Sequence, residues 1–87
     1  MDSYKISFRR SAEKELRRAT KNAIPRLVGK IESLSENPRP SASKMLQGED
    51  RYWRLRVGDC RVVYEIDDAA RAMMIIKIGH RREIHSV

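Results

Sequence analysis

Hydrophobic and polar residues alternate near both ends of this chain, and apolar residues recur at helical spacing between those regions. The segment 4–8 has the period-two pattern of a half-buried strand, and so do the segments 52–57 and 60–66. The segment 72–78 is apolar at almost every position. The pattern predicts four strands, with 72–78 as a central strand that is covered on both faces.

Two helices are predicted between the first and second of these strands. Ser11 is a suitable N-cap for the first helix, and Pro25 fits the first turn of the second, which ends near Glu36 at "ENPRP". Residues 37–51 read as an irregular connection, in which 44–46 could pair as a short edge strand. We therefore expect an α+β domain, with an N-terminal strand and an α-helical hairpin packed on one face of an antiparallel sheet of about four strands.

Length and composition restrict the possible functions. A chain of 87 residues predicts a single domain over residues 1–87, whose active site must lie on the surface or in a shallow cleft. The 19 Lys and Arg against 12 Asp and Glu give a net charge of +7, which favours nucleic acid or an acidic protein as the partner over a membrane surface. One cysteine, no signal peptide and no membrane-spanning stretch predict a cytoplasmic protein.

The hairpin in "YWRLRVGDCRVVYEI" creates a conflict of charge. A two-residue turn at Gly58-Asp59 of type II′ places Arg56 opposite Arg61, with Arg54 on the same face. Like charges directly opposite each other destabilise a sheet. We interpret the three arginines as an anion site, because a bound phosphate would remove the conflict.

The segment "GHRREIH" follows the apolar strand and adds four more candidates. The end of the apolar strand can bring Arg81 or Arg82 close to the three arginines of the hairpin, and His80 and His85 lie nearby in sequence. RNA cleavage without a metal needs a base, cations for the developing charge and an acid for the leaving oxygen. Histidine suits proton transfer, and His85 lies nearer the chain end than His80.

Other kinds of site find little support in the sequence. The histidines lack nearby cysteine or carboxylate partners for zinc, the glycines do not form a phosphate loop, and no nucleophile elbow is present. We therefore predict no metal and no cofactor.

Six motifs in order along nearly the whole chain resemble the RelE/ParE superfamily of bacterial and archaeal toxins. They are "YKISF", "SAEKELR", "ENPRP", a K-x-L-x-G pattern beginning at Lys44, "YWRLRVGDCRVVYEI" and "IGHRREIH". Within the superfamily, "RLRVGD-x-R-V-V-Y" and "GHRRE" look more like the RelE branch than the ParE branch. The resemblance implies a microbial-ribonuclease-like fold and a toxin that cuts mRNA in the ribosomal A site, without metal, until an antitoxin wraps and inhibits it.

The resemblance also implies roles for particular residues. Arg54 and Arg56 would bind substrate phosphate and activate the 2′-hydroxyl, and Arg61 and Arg81 would stabilise the transition-state charge. His85 stands where many RelE toxins have a tyrosine, as in "REVY", and would serve as the acid. Three residues would help to hold RNA or the ribosome: Lys44, His80 and Arg82. The implied partners are an acidic cognate antitoxin, the ribosome and mRNA, with operator DNA reached only through the antitoxin complex and no membrane.

Two other functions stay open at this point. A ParE-like toxin would inhibit DNA gyrase by binding, and it would have no need of four arginines at one site. A degenerate toxin would keep only antitoxin binding and act as a co-repressor, which the loss of a competent acid at position 85 would favour.

Overall fold

The computed structural model describes residues 3–46 and 48–80, and these residues form two helices and five strands. In chain order the elements are β1 (Lys5–Phe8), α1 (Arg10–Arg18), α2 (Ala23–Leu34), β2 (Ser43–Leu46), β3 (Glu49–Val57), β4 (Cys60–Asp67) and β5 (Ala72–His80). The predicted α+β class is confirmed. Neither of the helices in the described ranges is long and apolar enough to span a membrane.

The sheet differs from the expected one in two respects. It has five strands in the order β1-β5-β4-β3-β2, because the short segment 43–46 pairs with β3 along its edge. It is also mixed rather than antiparallel, because β1 lies parallel to β5 while the other neighbours are antiparallel. The helical crossover after β1 allows this parallel pairing, which depends on contacts distant in sequence.

The position of the apolar strand was predicted wrongly. β4 is in the middle of the sheet, and β5 lies between β4 and β1. β5 carries a bulge, since Val63 pairs with Lys77 and Tyr64 pairs with Ile75, so that Ile76 has no partner in β4. The extra residue shifts the alternation, because Met73 and Ile75 are buried before the bulge and Ile78, three residues later, is buried after it. Met74, on the other face, is 38% exposed. A near-continuous apolar run therefore does not require a strand that is covered on both faces.

The helices begin and end slightly earlier than predicted. The N-cap of α1 is Arg9 rather than Ser11, and its side chain makes no cap hydrogen bond. The chain enters α1 almost directly from β1, and the Arg9 amide still donates to the Ile75 carbonyl of β5. Pro25 falls in the first turn of α2, as expected, and α2 ends at Leu34 rather than near Glu36.

One face of the sheet packs against both helices and forms the core. The buried helix residues Ala12, Leu27, Ile31 and Leu34 belong to the same apolar cluster as the inward-facing residues of β3, β4 and β5. Tyr64 is fully buried there, and its hydroxyl donates to the Pro38 carbonyl at 2.7 Å. Burial raises the pKa of Tyr64 above its ordinary value. The helices leave the opposite face of the sheet uncovered, and this face is called the open face below.

A small polar network ties the segment before β1 to two connections, away from the open face. Asp68, in the turn between β4 and β5, accepts a hydrogen bond from the Tyr4 hydroxyl at 2.6 Å. The same carboxylate accepts two hydrogen bonds from the Arg39 guanidinium, at 3.2 and 2.8 Å. The hydrogen bonds from Arg39, which have the larger effect, and from Tyr4 lower the pKa of Asp68 below its ordinary value.

This network predicts a loss of stability in acid. Because the pKa of Asp68 is lowered in the folded protein, its contribution is present above its ordinary value near 4 and is lost as the pH falls through the folded pKa. We expect Asp68→Asn to lower the melting temperature at pH 7 and the difference from wild type to shrink as the pH falls below about 4. Thermal melts across this range test it, with Asp59→Asn in the exposed hairpin turn as the control. A pH-independent difference would contradict it.

Candidate functional site

Four cations from three neighbouring strands lie together on the open face. Trp53, Leu55 and Val57 of β3 face the core, so the residues between them face the other way. β2 and β4 contribute to the same face in register with β3. The group is called the cationic cluster and consists of Lys44, Arg54, Arg56 and Arg61.

The strand register brings these four side chains close together. Arg56 is directly opposite Arg61, as predicted from the turn, and Gly58 has the positive φ of +60° that a type II′ turn requires at its first position. Lys44 is directly opposite Arg54. Cβ atoms of directly opposed residues in antiparallel strands are about 4.5 to 5.5 Å apart. The cluster therefore contains two like-charged pairs in adjacent rows.

The strand next to the cluster leaves room beside Arg61. Arg61 is paired on its other side with Gly79 of β5, which carries no side chain. In the next row Arg54 is paired with Val63, which is only 4% exposed although it lies on the open face. We attribute this burial to the aliphatic stems of neighbouring cations, Arg54 and Lys77, whose charged ends stay at the surface.

The cluster has no acidic partner in the part of the chain that the structure describes. Two other cations of the same sheet do have one: Arg51 binds Glu65 at 2.9 Å, and Lys77 lies 3.9 Å from Glu15. Among the side chains that the structure describes, no cluster member forms an ion pair, and the one hydrogen bond is from Arg56 Nε to the Gly58 carbonyl at 3.2 Å. Flanking cations are thus neutralised while the cluster keeps its charge.

The unpaired charges carry an energetic cost that an anion would relieve. Arg54 and Arg61 are half-buried, and partial burial of a guanidinium without a partner removes part of its hydration. Like charges in opposed positions add repulsion. Arginine forms two parallel hydrogen bonds with a phosphate or carboxylate and holds its charge at all accessible pH values. The three arginines are thus suited to binding an anion and to stabilising negative charge, but not to exchanging protons.

The far end of β5 is fixed beside the cluster by a helix residue. β1 ends at Phe8, so the β5 edge beyond Ile75 lacks a strand partner on that side. The Ile78 amide instead donates to Glu15 Oε1 of α1 at 2.9 Å. This contact holds the strand just before Gly79 and therefore orients the segment that leads into the predicted tail residues.

The tail residues themselves mostly lie beyond what the structure describes. His80 ends β5 at the ladder position opposite Cys60, and its side chain is not among those described. Arg81, Arg82 and His85 lie outside the described residues. Their roles stay predictions, and so does their meeting with the cluster.

A cleft of about 690 Å³ lies on the helix side of the sheet, apart from the cluster. It is bounded by the α1–α2 junction, the β3–β4 turn and the end of β5. Its charged lining is mixed, because Arg18 and Arg26 are balanced by Glu15 and Asp59. Of the residues that the structure describes here, none had been predicted as a site residue, and we assign no chemistry to the cleft.

Sequence reasoning underestimated two features of the open face. It assigned Lys44 to RNA or ribosome binding but did not place it directly opposite Arg54, since the pairing depends on β2, whose four residues give a weak signal. It also overlooked Tyr52, which lies two residues before Arg54 and therefore on the same face. The alternation of the segment 52–57 contained this second signal.

Comparisons with known proteins relate the chain to one class of toxins. The family model described as "ParE toxin of type II toxin-antitoxin system, parDE" matches residues 6–85. Among solved structures, the RelBE toxin-antitoxin complex of Escherichia coli has a chain with 29% identity and a TM-score of 0.77, covering 90% of this chain and 96% of that one. The isolated E. coli RelE toxin has 25% identity and a TM-score of 0.80, covering 90% and 84%.

A third solved structure extends the similarity to another organism. The RelBE2 toxin-antitoxin complex of Mycobacterium tuberculosis has a chain with 26% identity and a TM-score of 0.78, covering 91% of this chain and 99% of that one. A comparison with curated protein sequences gave no significant match. The predicted RelE-like fold is confirmed by these superpositions.

Proposed function

The chain belongs to the ParE toxin family of type II toxin–antitoxin systems. From its similarity to RelE toxin structures and from the cationic cluster, we propose that it is a ribosome-dependent endoribonuclease which cuts mRNA in the A site without a metal. Residues 1–87 would act as one toxin domain in the cytoplasm, where translation takes place. The observation that carries the proposal is the cationic cluster, whose four members have no acidic partner among the described residues.

The chemistry of RNA cleavage explains why such a cluster is useful. Attack of a 2′-hydroxyl on the adjacent phosphate breaks the bond to the 5′-oxygen and passes through a state with additional negative charge on the phosphate. Fixed cations stabilise that state more than the ground state, and this difference accelerates the reaction. We assign Arg54 and Arg56 to the substrate phosphate and to orientation of the 2′-hydroxyl, and Arg61 and Arg81 to the transition-state charge.

Proton transfer requires a different kind of side chain. Arginine has a pKa too high for exchanging protons near neutrality, so neither the base nor the acid comes from the three arginines of the cluster. We propose that the 2′-hydroxyl loses its proton to solvent water as it attacks, and that His85 is the acid that protonates the leaving 5′-oxygen. Lys44, His80 and Arg82 would hold RNA or the ribosome, and no metal or cofactor is required in this scheme.

The His85 assignment makes a prediction about pH dependence. An unperturbed histidine titrates near pH 6.5 and an unperturbed tyrosine near 10, so His85→Tyr should move the alkaline limb of the cleavage rate to higher pH. Single-turnover cleavage of ribosome-bound mRNA between about pH 5.5 and 9 measures this. If His85→Ala leaves both the rate and the profile unchanged, His85 is not the acid.

An antitoxin partner is proposed on the same grounds. The E. coli RelBE and M. tuberculosis RelBE2 structures are toxin–antitoxin complexes. For this chain we propose an acidic cognate antitoxin that wraps the toxin and neutralises the cationic cluster. The toxin would reach operator DNA only as part of the complex with this antitoxin. Carboxylates from such a partner would supply the charges that the described part of the chain lacks around Arg54 and Arg61.

A translating extract tests the proposed activity against the alternatives. Purified protein should stop translation and cut mRNA within ribosome-engaged codons, while DNA supercoiling by gyrase continues. Inhibited supercoiling with intact mRNA would instead identify a gyrase inhibitor. If both processes continue while the antitoxin still binds, the protein is a co-repressor without toxin activity.

A further inference from the structure

A second group of cations surrounds a notch between α2 and the end of β3. The notch is a shallow, open depression of about 410 Å³ and is called the α2 notch. Its helix wall is made by Arg26, Gly29, Lys30 and Ser33, which recur along one face of α2. Its other wall is the end of β3 with Arg56 and the beginning of the hairpin turn.

Every charged residue that lines the notch is a cation. These residues are Arg26, Lys30 and Arg56, and no Asp or Glu is present among the lining residues. Arg26 and Lys30 are exposed, and neither forms an ion pair within the described part of the chain. This composition differs from that of the larger cleft nearby, where acidic and basic residues balance.

The hairpin turn brings two of these guanidinium groups toward the same glycine. Arg56 Nε donates to the Gly58 carbonyl at 3.2 Å. A Cβ built on Gly58 would be 3.6 Å from Arg26 Nη1, so the Arg26 guanidinium lies against the turn from the helix side. Asp59, the next residue of the turn, lines the larger cleft and not the notch, so no acidic residue lines the notch where the two cations converge. Two such cations favour an anionic occupant, as they do in the cationic cluster.

The glycine at position 29 supports a binding role for the notch, because the packing around α2 does not require a glycine there. Glycine in the interior of a helix is less favourable than alanine. A Cβ at Gly29 would meet nothing within 4 Å, so close packing does not demand glycine there. The absence of a side chain does keep the notch open between Arg26 and Lys30.

The location of the notch indicates which anion it binds. Arg56 belongs to both the cationic cluster and the notch, so the basic surface is continuous around the end of β3. Arg26 and Lys30 are on the helix layer, however, on the side of the sheet away from Arg54 and Arg61. An mRNA strand bound only to the open face would not contact Arg26 and Lys30. Ribosomal RNA that surrounds the toxin on several sides would contact them.

We propose that the α2 notch binds a backbone phosphate of ribosomal RNA, so that the toxin is held from its helix side while the cationic cluster engages mRNA on the open face. This inference rests on the proposed function. The notch would contribute to affinity for the ribosome and not to the chemical step, because it lies apart from Arg54 and Arg61.

A pair of substitutions at Gly29 tests the proposal. Gly29→Glu and Gly29→Gln place side chains of nearly equal size in the notch without a clash at Cβ, and they differ in charge. We expect Gly29→Glu to bind ribosomes that carry no mRNA about tenfold more weakly than Gly29→Gln does. The slope of log affinity against log salt should also fall by about 0.7 to 0.9, the value of one phosphate contact.

Cation removal provides an independent arm of the same experiment. Arg26→Gln and Lys30→Gln should each weaken ribosome binding with a matching loss of salt dependence, and Arg17→Gln on the exposed surface of α1 should not. The cleavage rate at saturating toxin should stay unchanged in all these variants. Circular dichroism of each variant verifies that the fold is retained.

Several results would overturn the proposal. Equal ribosome binding by Gly29→Glu and Gly29→Gln would mean that the notch does not bind an anion. A loss seen only with ribosomes that carry mRNA would assign the phosphate to mRNA, and a loss only of antitoxin affinity would assign the notch to the antitoxin. If wild-type protein binds ribosomes and cuts mRNA, these outcomes concern the notch alone; if it does neither, the proposed function and this inference both fall.

Discussion

Arg61→Ala is expected to lower the rate of mRNA cleavage on the ribosome by about a hundredfold to a thousandfold while the protein stays folded. The guanidinium is half-buried on the open face, without an acidic partner among the described residues, and removal of one fixed donor to a developing oxyanion typically has an effect of this size. Single-turnover cleavage at saturating ribosomes measures the rate directly.

Two further variants make the Arg61 result specific. Arg61→Lys keeps the charge but loses the forked donor geometry, so its rate should fall between those of wild type and Arg61→Ala. Arg17→Ala removes an exposed arginine on α1, 74% accessible, and should leave the rate unchanged. Equal activity of Arg61→Ala and wild type would mean that the cationic cluster does not contact the reacting phosphate.

Arg56→Glu is expected to abolish cleavage and at the same time to stabilise the free protein by about 0.5 to 1 kcal/mol. The substitution replaces a like-charged pair with Arg61 by an opposite-charged pair at the same ladder position. Opposed charges of opposite sign stabilise antiparallel strands, and like charges destabilise them. Urea denaturation measures the free energy of unfolding, and the cleavage assay measures activity.

The sign of the stability change distinguishes a functional site from an ordinary solvated surface. Arg56→Gln removes the repulsion without adding attraction, so its free energy of unfolding should lie between those of wild type and Arg56→Glu. A lower stability for Arg56→Glu would mean that the pair is not repulsive in the folded protein. The argument that an anion resolves a conflict at this position would then fail.

The hairpin was predictable because its geometry is local. Gly58 and Asp59 define a two-residue turn, and that turn fixes the register of Arg56 with Arg61 without reference to the rest of the fold. The helix layer was predictable for a similar reason, because apolar residues at helical spacing must share one face. The class of fold and the centre of the candidate site followed from these two local patterns.

Features that depend on distant contacts were not predictable in the same way. The parallel pairing of β1 with β5 joins residues more than 60 positions apart, and the bulge at Ile76 is defined only against β4. The pairing of Lys44 with Arg54 depends on β2 lying along β3. The α2 notch arises where a helix meets a strand end, and no spacing within α2 alone shows that Arg26 approaches Gly58.

The central claim is that the cationic cluster stabilises attack of an RNA 2′-hydroxyl on its own phosphate within the ribosome. Analysis of the ends produced from a defined mRNA, with and without ribosomes, tests this most directly. We predict cleavage only on the ribosome, inside the A-site codon, with 2′,3′-cyclic phosphate and 5′-hydroxyl ends that Arg61→Ala fails to produce. Intact mRNA on the ribosome, or products with 5′-phosphate ends, would contradict the account.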